Sequence, residues 1–95
     1  MSVEHDARRH RFHLPAGRGE AYLDYRVVDA GTLDFRSTYV DPALRGRGLA
    51  AEVVKEALDH ARASGKRIVP TCSYVRAYLR RHPEYADLEV SKTAG

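Results

Sequence analysis

Between Arg47 and Ser64 the apolar side chains Ala50, Val53, Val54, Ala57, Leu58 and Ala61 recur at i, i+3, i+4, i+7, i+8 and i+11, the stripe of one helix face. The opposite face carries Glu52, Lys55, Glu56, Asp59 and Arg62, and Ser64-Gly65 ends the helix with a residue that tolerates left-handed backbone. A stripe of this kind cannot bury itself. The remainder of a 95-residue chain must supply a second apolar layer, which restricts the fold to helix on helix or helix on sheet.

The segments on either side of the helix read as strands. Across Ala21–Val27 the more apolar side chains occupy odd positions, and the same parity returns across Leu33–Tyr39. The short connector Asp29-Ala30-Gly31 predicts an antiparallel hairpin, with Gly31 available for positive φ. Arg9–Leu14 alternates and reads as an earlier strand before the turn chemistry of Pro15-Ala16-Gly17-Arg18-Gly19. Arg67–Thr71 is short and β-branched, and Pro70 confines it to an edge or a broken ladder. Ser73 is placed to cap a second helix with Val75, Tyr78 and Leu79 inside, ending before Pro83. Glu84–Val90 reads as one more turn and a short extended end. Residues 1–7 and 91–95 lack apolar periodicity and read as flexible ends around a single folded unit over 8–90. The predicted class is α+β, with helices packed on a twisted mixed sheet in the order β-β-β-α-β-α.

Composition excludes the other broad classes. With 43% hydrophobic and 31% charged residues, the chain is too apolar for disorder and too polar for a membrane protein. The polar N-terminus lacks the apolar stretch of a secretory signal, and no run is long enough to span a bilayer. A net charge of +3 favours anionic partners without requiring nucleic acid. Cys72 is the single cysteine, so no internal disulfide or Cys-x-x-Cys site exists, and a cytoplasmic location is the expectation. The histidines show no metal-ligand spacing.

Arg45-Gly46-Arg47-Gly48-Leu49-Ala50 sits where the sheet segment hands over to the helix. There, unpaired backbone amides and the positive end of the helix dipole converge. Glycines leave the amides open and the arginines add charge, which suits a diphosphate; a glycine-rich turn with two solvated arginines is the plainer alternative. Gly46-x-Gly48-x-x-Ala51 formally fits a dinucleotide fingerprint. Against it stand the intervening loop Asp41–Arg45, the lack of an acidic residue after the next strand, and too little chain for a doubly wound sheet. A Walker loop is excluded because no Gly-Lys-Ser/Thr triplet occurs.

Arg45, Gly48 and Ala50 match the Q/R-x-x-G-x-G/A signature of the pyrophosphate loop in GNAT-type N-acetyltransferases, which this segment resembles. Ser37-Thr38-Tyr39-Val40, Pro70-Thr71-Cys72-Ser73-Tyr74-Val75 and His82-Pro83-Glu84-Tyr85 extend the similarity to the minimal single-domain YjdJ-like branch, over nearly the whole folded unit. The resemblance implies acetyl-CoA as co-substrate, with Arg45, Gly46, Arg47, Gly48, Leu49 and Ala50 at its pyrophosphate. It further implies that pantetheine lies between two splayed strands like a substitute strand.

For acetyl transfer the chemistry calls for a base, oxyanion donors and an acid for the leaving thiolate. Members of the branch usually carry His-Thr where this chain has Ser37-Thr38, so Ser37 takes the place of a base without its basicity. Cys72, at a strand end and a helix N-terminus, reads either as a nucleophile toward a thioester or as a small buried hydrophobe. Tyr74 and Tyr78 read as thiolate-protonating acids or as core aromatics. Full-size relatives of the superfamily place two helices after the first strand. Only Pro15–Gly19 stands there here, so the resemblance implies an open acceptor pocket, or one completed by a partner. The expected function is an acetyl-CoA-dependent N-acetyltransferase-like activity on an unidentified amine, small molecule or protein, with transfer through Cys72 as one route. A non-catalytic CoA-binding module is the alternative, and a nucleic-acid module is disfavoured for want of a stacking motif.

Overall fold

Tyr25 pairs with Phe35 across the central hairpin, and both side chains are buried. In the computed structural model, which describes residues 2–90, these two positions anchor a five-stranded sheet in the order β1-β2-β3-β4-β5. The strands are β1 (Glu4–Asp6), β2 (Arg11–Ala16), β3 (Gly19–Asp29), β4 (Thr32–Val40) and β5 (Arg67–Pro70). Successive pairs from β1 to β4 are antiparallel, whereas β5 returns parallel to β4 after a helical crossover. The helices are α1 (Leu49–Ala63) and α2 (Ser73–Arg81), and 3-10 turns cover Pro42–Leu44 and Pro83–Leu88. Among the described residues no helix is long and apolar enough to cross a membrane.

α1 buries Leu49, Val53, Val54, Ala57, Leu58 and Ala61 against β2, β3 and β4, so the stripe read from sequence meets the sheet from Val53 on, while Leu49 takes the buried place expected of Ala50, which is half-buried. Its C-terminus closes as expected. Gly65 has φ +68°, its N–H donates to the Arg62 carbonyl, and the Lys66 N–H donates to that of Ala61. α2 contributes Val75, Tyr78 and Leu79 to the same core. The Pro83–Leu88 turn is tied to α1 by the Arg62 guanidinium, which donates to both Asp87 carboxylate oxygens and to the Glu84 carbonyl. The Tyr85 hydroxyl donates to Asp59 at 2.6 Å.

Several boundaries differ from the sequence reading. The order is β-β-β-β-α-β-α, because Glu4–Asp6, read as part of a flexible end, forms an edge strand on Arg11–His13. Three residues are too few to show a period. β2 runs through Pro15, which lies beyond the reach of β1 on a stretch with one neighbour, where a strand tolerates proline. The β3–β4 turn is held by the Asp29 carboxylate, which accepts the Gly31 N–H at 2.9 Å, and Gly31 is not at positive φ. Cys72, not Ser73, occupies the cap position of α2. The tail expected at 91–95 lies outside the described residues.

One irregularity decides which side chains face the helices. Asp24 pairs with Ser37 but Tyr25 pairs with Phe35, so Arg36 is an extra residue in β4 and forms a bulge. Leu33 and Phe35 point into the core. Beyond the bulge the alternation inverts, so that Thr38 and Val40 lie opposite buried Leu23 and Ala21. Ser37 and Tyr39 turn to the open face, where Tyr39 stacks on Tyr22 at 5.0 Å. The same-parity reading of Leu33–Tyr39 therefore holds only for its first half.

Candidate functional site

β5 pairs with β4 only from Thr32 to Phe35. The last link between them is the Cys72 N–H, which donates to the Phe35 carbonyl at 2.9 Å. From there β4 runs on to Val40 without a neighbour on that side among the described residues, because Pro70 and the start of α2 draw the chain away. The junction is braced. The Thr71 hydroxyl donates to Asp34 at 2.5 Å, and the Arg76 guanidinium donates to the Pro70 and Thr71 carbonyls at 3.1 and 2.8 Å.

The segment between β4 and α1 closes the other side of this gap. The Asp41 carboxylate accepts the Ala43 N–H, the Asp41 N–H donates to the Glu20 carbonyl, and Leu44 is buried. With that turn fixed, Gly46 at φ +85° and Gly48 at φ +74° carry the chain into α1. An added Cβ at either glycine would meet no atom within 4 Å, so open space lies before the backbone there. The Glu52 N–H is the first of the helix to find an intrahelical acceptor, the Gly48 carbonyl. The amides of Leu49, Ala50 and Ala51 thus have no carbonyl one turn back, the condition that makes a helix start attract anions.

The result is a cleft of about 380 Å³. One wall is the loop and helix start, from Arg45, Gly46 and Gly48 to Leu49 and Ala50. Thr38 and Val40 of β4, Leu44 and Tyr74 of α2 form the rest. Its volume falls in the range of small-molecule sites. A larger depression of about 460 Å³ lies at the opposite edge of the sheet among charged side chains such as Glu4, Arg8 and Glu20, and none of the loop residues borders it.

Of the residues singled out from sequence, Arg45, Gly46, Gly48, Leu49, Ala50 and Tyr74 come together at the cleft. Arg47 is exposed and borders no part of it. Ser37 lies on the other face of the sheet, exposed beside Asp24, so the bulge removes it from the cleft altogether. Cys72 is 9% exposed and does not line the cleft itself. Its Sγ lies 3.4 Å from the Thr38 hydroxyl, which does. Tyr78, weighed as an acid, is buried and stacked on His82 at 4.0 Å, and burial pushes its phenol up.

Thr38, Val40 and Leu44 were missed, the first two because a strict period of two places them on the wrong face. The run Asp34-Phe35-Arg36-Ser37-Thr38 carries no compositional mark of the added residue. Among the described residues, no histidine or carboxylate lines the cleft.

Comparison with known proteins agrees with this architecture. The family model described as GCN5-related N-acetyl-transferase matches residues 11–88. The chain is similar to Protein NATD1 of Xenopus tropicalis, 35% identical over 85 residues, which are 87% of this chain and 78% of that protein. It is 36% identical to Protein NATD1 of Homo sapiens, over 87% of this chain and 75% of the relative. The solution structure of a GCN5-like protein from Staphylococcus aureus superposes with a TM-score of 0.69 at 21% identity, covering 97% of this chain and 92% of the other.

Proposed function

The chain belongs to the family of GCN5-related N-acetyltransferases, and on that premise we propose that it binds acetyl-CoA in the cleft between β4 and α1 and transfers the acetyl group to an amine. The observation that carries this reading is the coincidence of two open hydrogen-bonding surfaces. The free amides at the start of α1 suit a diphosphate, and the unpaired edge of β4 from Arg36 to Val40 suits an amide-bearing chain laid alongside as a strand. The open space before Gly46 and Gly48 fits phosphate oxygens approaching the backbone, and Arg45 adds a charge at the rim.

Bound acetyl-CoA supplies an activated thioester carbonyl. Attack by a neutral amine forms the carbon–nitrogen bond and breaks the carbon–sulfur bond, the nitrogen loses one proton, and the departing thiolate takes one up, leaving an amide and free CoA. Tyr74 stands at the cleft with its phenol available as donor. Transfer through Cys72 requires the thiol to reach past Thr38, its hydrogen-bond partner. The acceptor is an amine on a small molecule or a protein, and a cytoplasmic setting suits this co-substrate.

A second reading, a CoA-binding module without turnover, is favoured by one feature. Among the described residues, the cleft wall has no histidine or carboxylate to take a proton from the amine. Calorimetry with CoA and acetyl-CoA, followed by mass spectrometry of protein and added primary amines, separates the two. Acetylated amine, or an acetyl adduct on Cys72, supports the transferase. Binding without either supports the module, and no binding rejects both.

A further inference from the structure

β1 is a three-residue edge strand, and one of its side chains reaches the helix side of the sheet. Glu4 pairs across to His13 on the open face, and the Asp6 carboxylate accepts the N–H of Arg9 in the following turn. His5 points the other way. Its ring lies flat on Phe12 at 4.4 Å and 9°, and its Nε2 is 2.5 Å from the Tyr25 hydroxyl. The His60 ring, from the last turn of α1, stands edge-on to it at 4.4 Å. His10, in the turn between β1 and β2, stacks on Tyr25 at 5.2 Å. Beyond the backbone pairing of β1 with β2, the His5 imidazole ties β1 to β2, β3 and α1.

We propose that β1 is a pH-operated latch, seated while His5 is neutral and released when acidification charges it. A proton on His5 sits between the apolar face of Phe12 and the edge of the His60 ring, which replace part of its water although the side chain stays exposed at the rim. Protonated, Nε2 donates to the Tyr25 oxygen, so that contact persists and the opposition to charging comes from desolvation and the neighbouring histidines. The charged and titratable groups around His5 are His60 from α1, Tyr25 from β3, His10 and the Arg9-bound Asp6 from the β1–β2 turn; Phe12 from β2 carries no charge. Burial, His60 and His10 lower the imidazole below its usual value of 6.5, outweighing Asp6, which raises it.

The seated strand therefore binds fewer protons than the released one. Docking is at full strength above the ordinary imidazole range and is lost as pH falls through the lowered value of seated His5. Release uncovers Phe12 and Tyr25 and frees the edge of β2 at Arg11–His13, a pairing surface for another strand.

The test is backbone NMR relaxation of the full chain at pH 8 and pH 5. The heteronuclear NOE of His5 and Asp6 should match the rest of the sheet at pH 8 and fall to terminal values at pH 5, with the β3–β4 hairpin unchanged. His5→Phe, which keeps the stacking and removes the titration, should hold β1 seated at pH 5. Equal order of β1 at both pH values overturns the latch, as does release in His5→Phe at pH 5. Loss of the hairpin together with β1 overturns it too, because that is global unfolding.

Discussion

Thr38 Oγ1 and Cys72 Sγ lie 3.4 Å apart, although 34 residues separate them in sequence. They meet because the Arg36 bulge turns Thr38 to the helix side while the Phe35 carbonyl holds the Cys72 amide at the end of β5. Thr38 borders the cleft, and Cys72 stands behind it. Access to the thiol accordingly runs through the threonine. Iodoacetamide should alkylate Cys72 slowly, and Thr38→Ala should raise the rate about tenfold, with CoA protecting both proteins. Mass spectrometry of the single cysteine reads the outcome. An unchanged rate in Thr38→Ala would place the thiol's approach elsewhere.

Gly48 begins α1 at φ +74°, a conformation that costs a β-branched residue about 1–2 kcal/mol or more. Gly48→Val should lower stability by that amount and reduce CoA affinity at least about tenfold, since its side chain enters the space before the amides. Gly48→Asn, which tolerates left-handed backbone, should recover most of the stability but not the affinity. Denaturant unfolding and calorimetry measure the two effects separately.

The two loop arginines should differ. Arg45 borders the cleft and Arg47 does not, so Arg45→Ala is expected to weaken CoA binding by about 1 kcal/mol and Arg47→Ala by less than half of that. The Arg45 effect should shrink as salt is raised from 50 to about 500 mM. Equal losses would contradict the assignment of the rim.

Ser37→His should not create a base. The position faces the open side of the sheet beside Asp24, so CoA release from acetyl-CoA in the presence of a primary amine should stay within about twofold of the parent. A marked rise would require Ser37 to reach the cleft, against the register of β4.

Tyr85 links the C-terminal turn to α1 through Asp59, and burial, that hydrogen bond and the Asp59 charge push its phenol up to about 12. The folded chain therefore keeps this proton more tightly than the unfolded one. The corresponding stability is complete below pH 10 and is lost as pH rises through about 12. Tyr85→Phe should cost about 1 kcal/mol at pH 7, and the difference should narrow above pH 10. Urea melts of both proteins at pH 7 and pH 11 provide the comparison. A constant difference across that range would remove the link.

What the sequence by itself determined lies where an element's pattern is set by its own residues. The α1 stripe, its glycine stop, the hairpin of β3 and β4 and the loop from Arg45 to Ala50 are local features, and the family resemblance rests on such stretches. Ser37 and Thr38 were also legible as neighbours of the site, but not which of them faces it. That choice belongs to the tertiary structure, because a bulge is a mismatch in the count of residues between two strands and one strand's sequence does not contain the count of the other. The same reason hides β1, whose three residues are a strand by pairing with Arg11–His13 and set His5 against Phe12, Tyr25 and His60 from three different elements. It also hides the cleft. The gap beside β4 exists because β5 stops at Pro70 while β4 continues to Val40, a difference in length between strands that come together only after α1 has folded across the sheet.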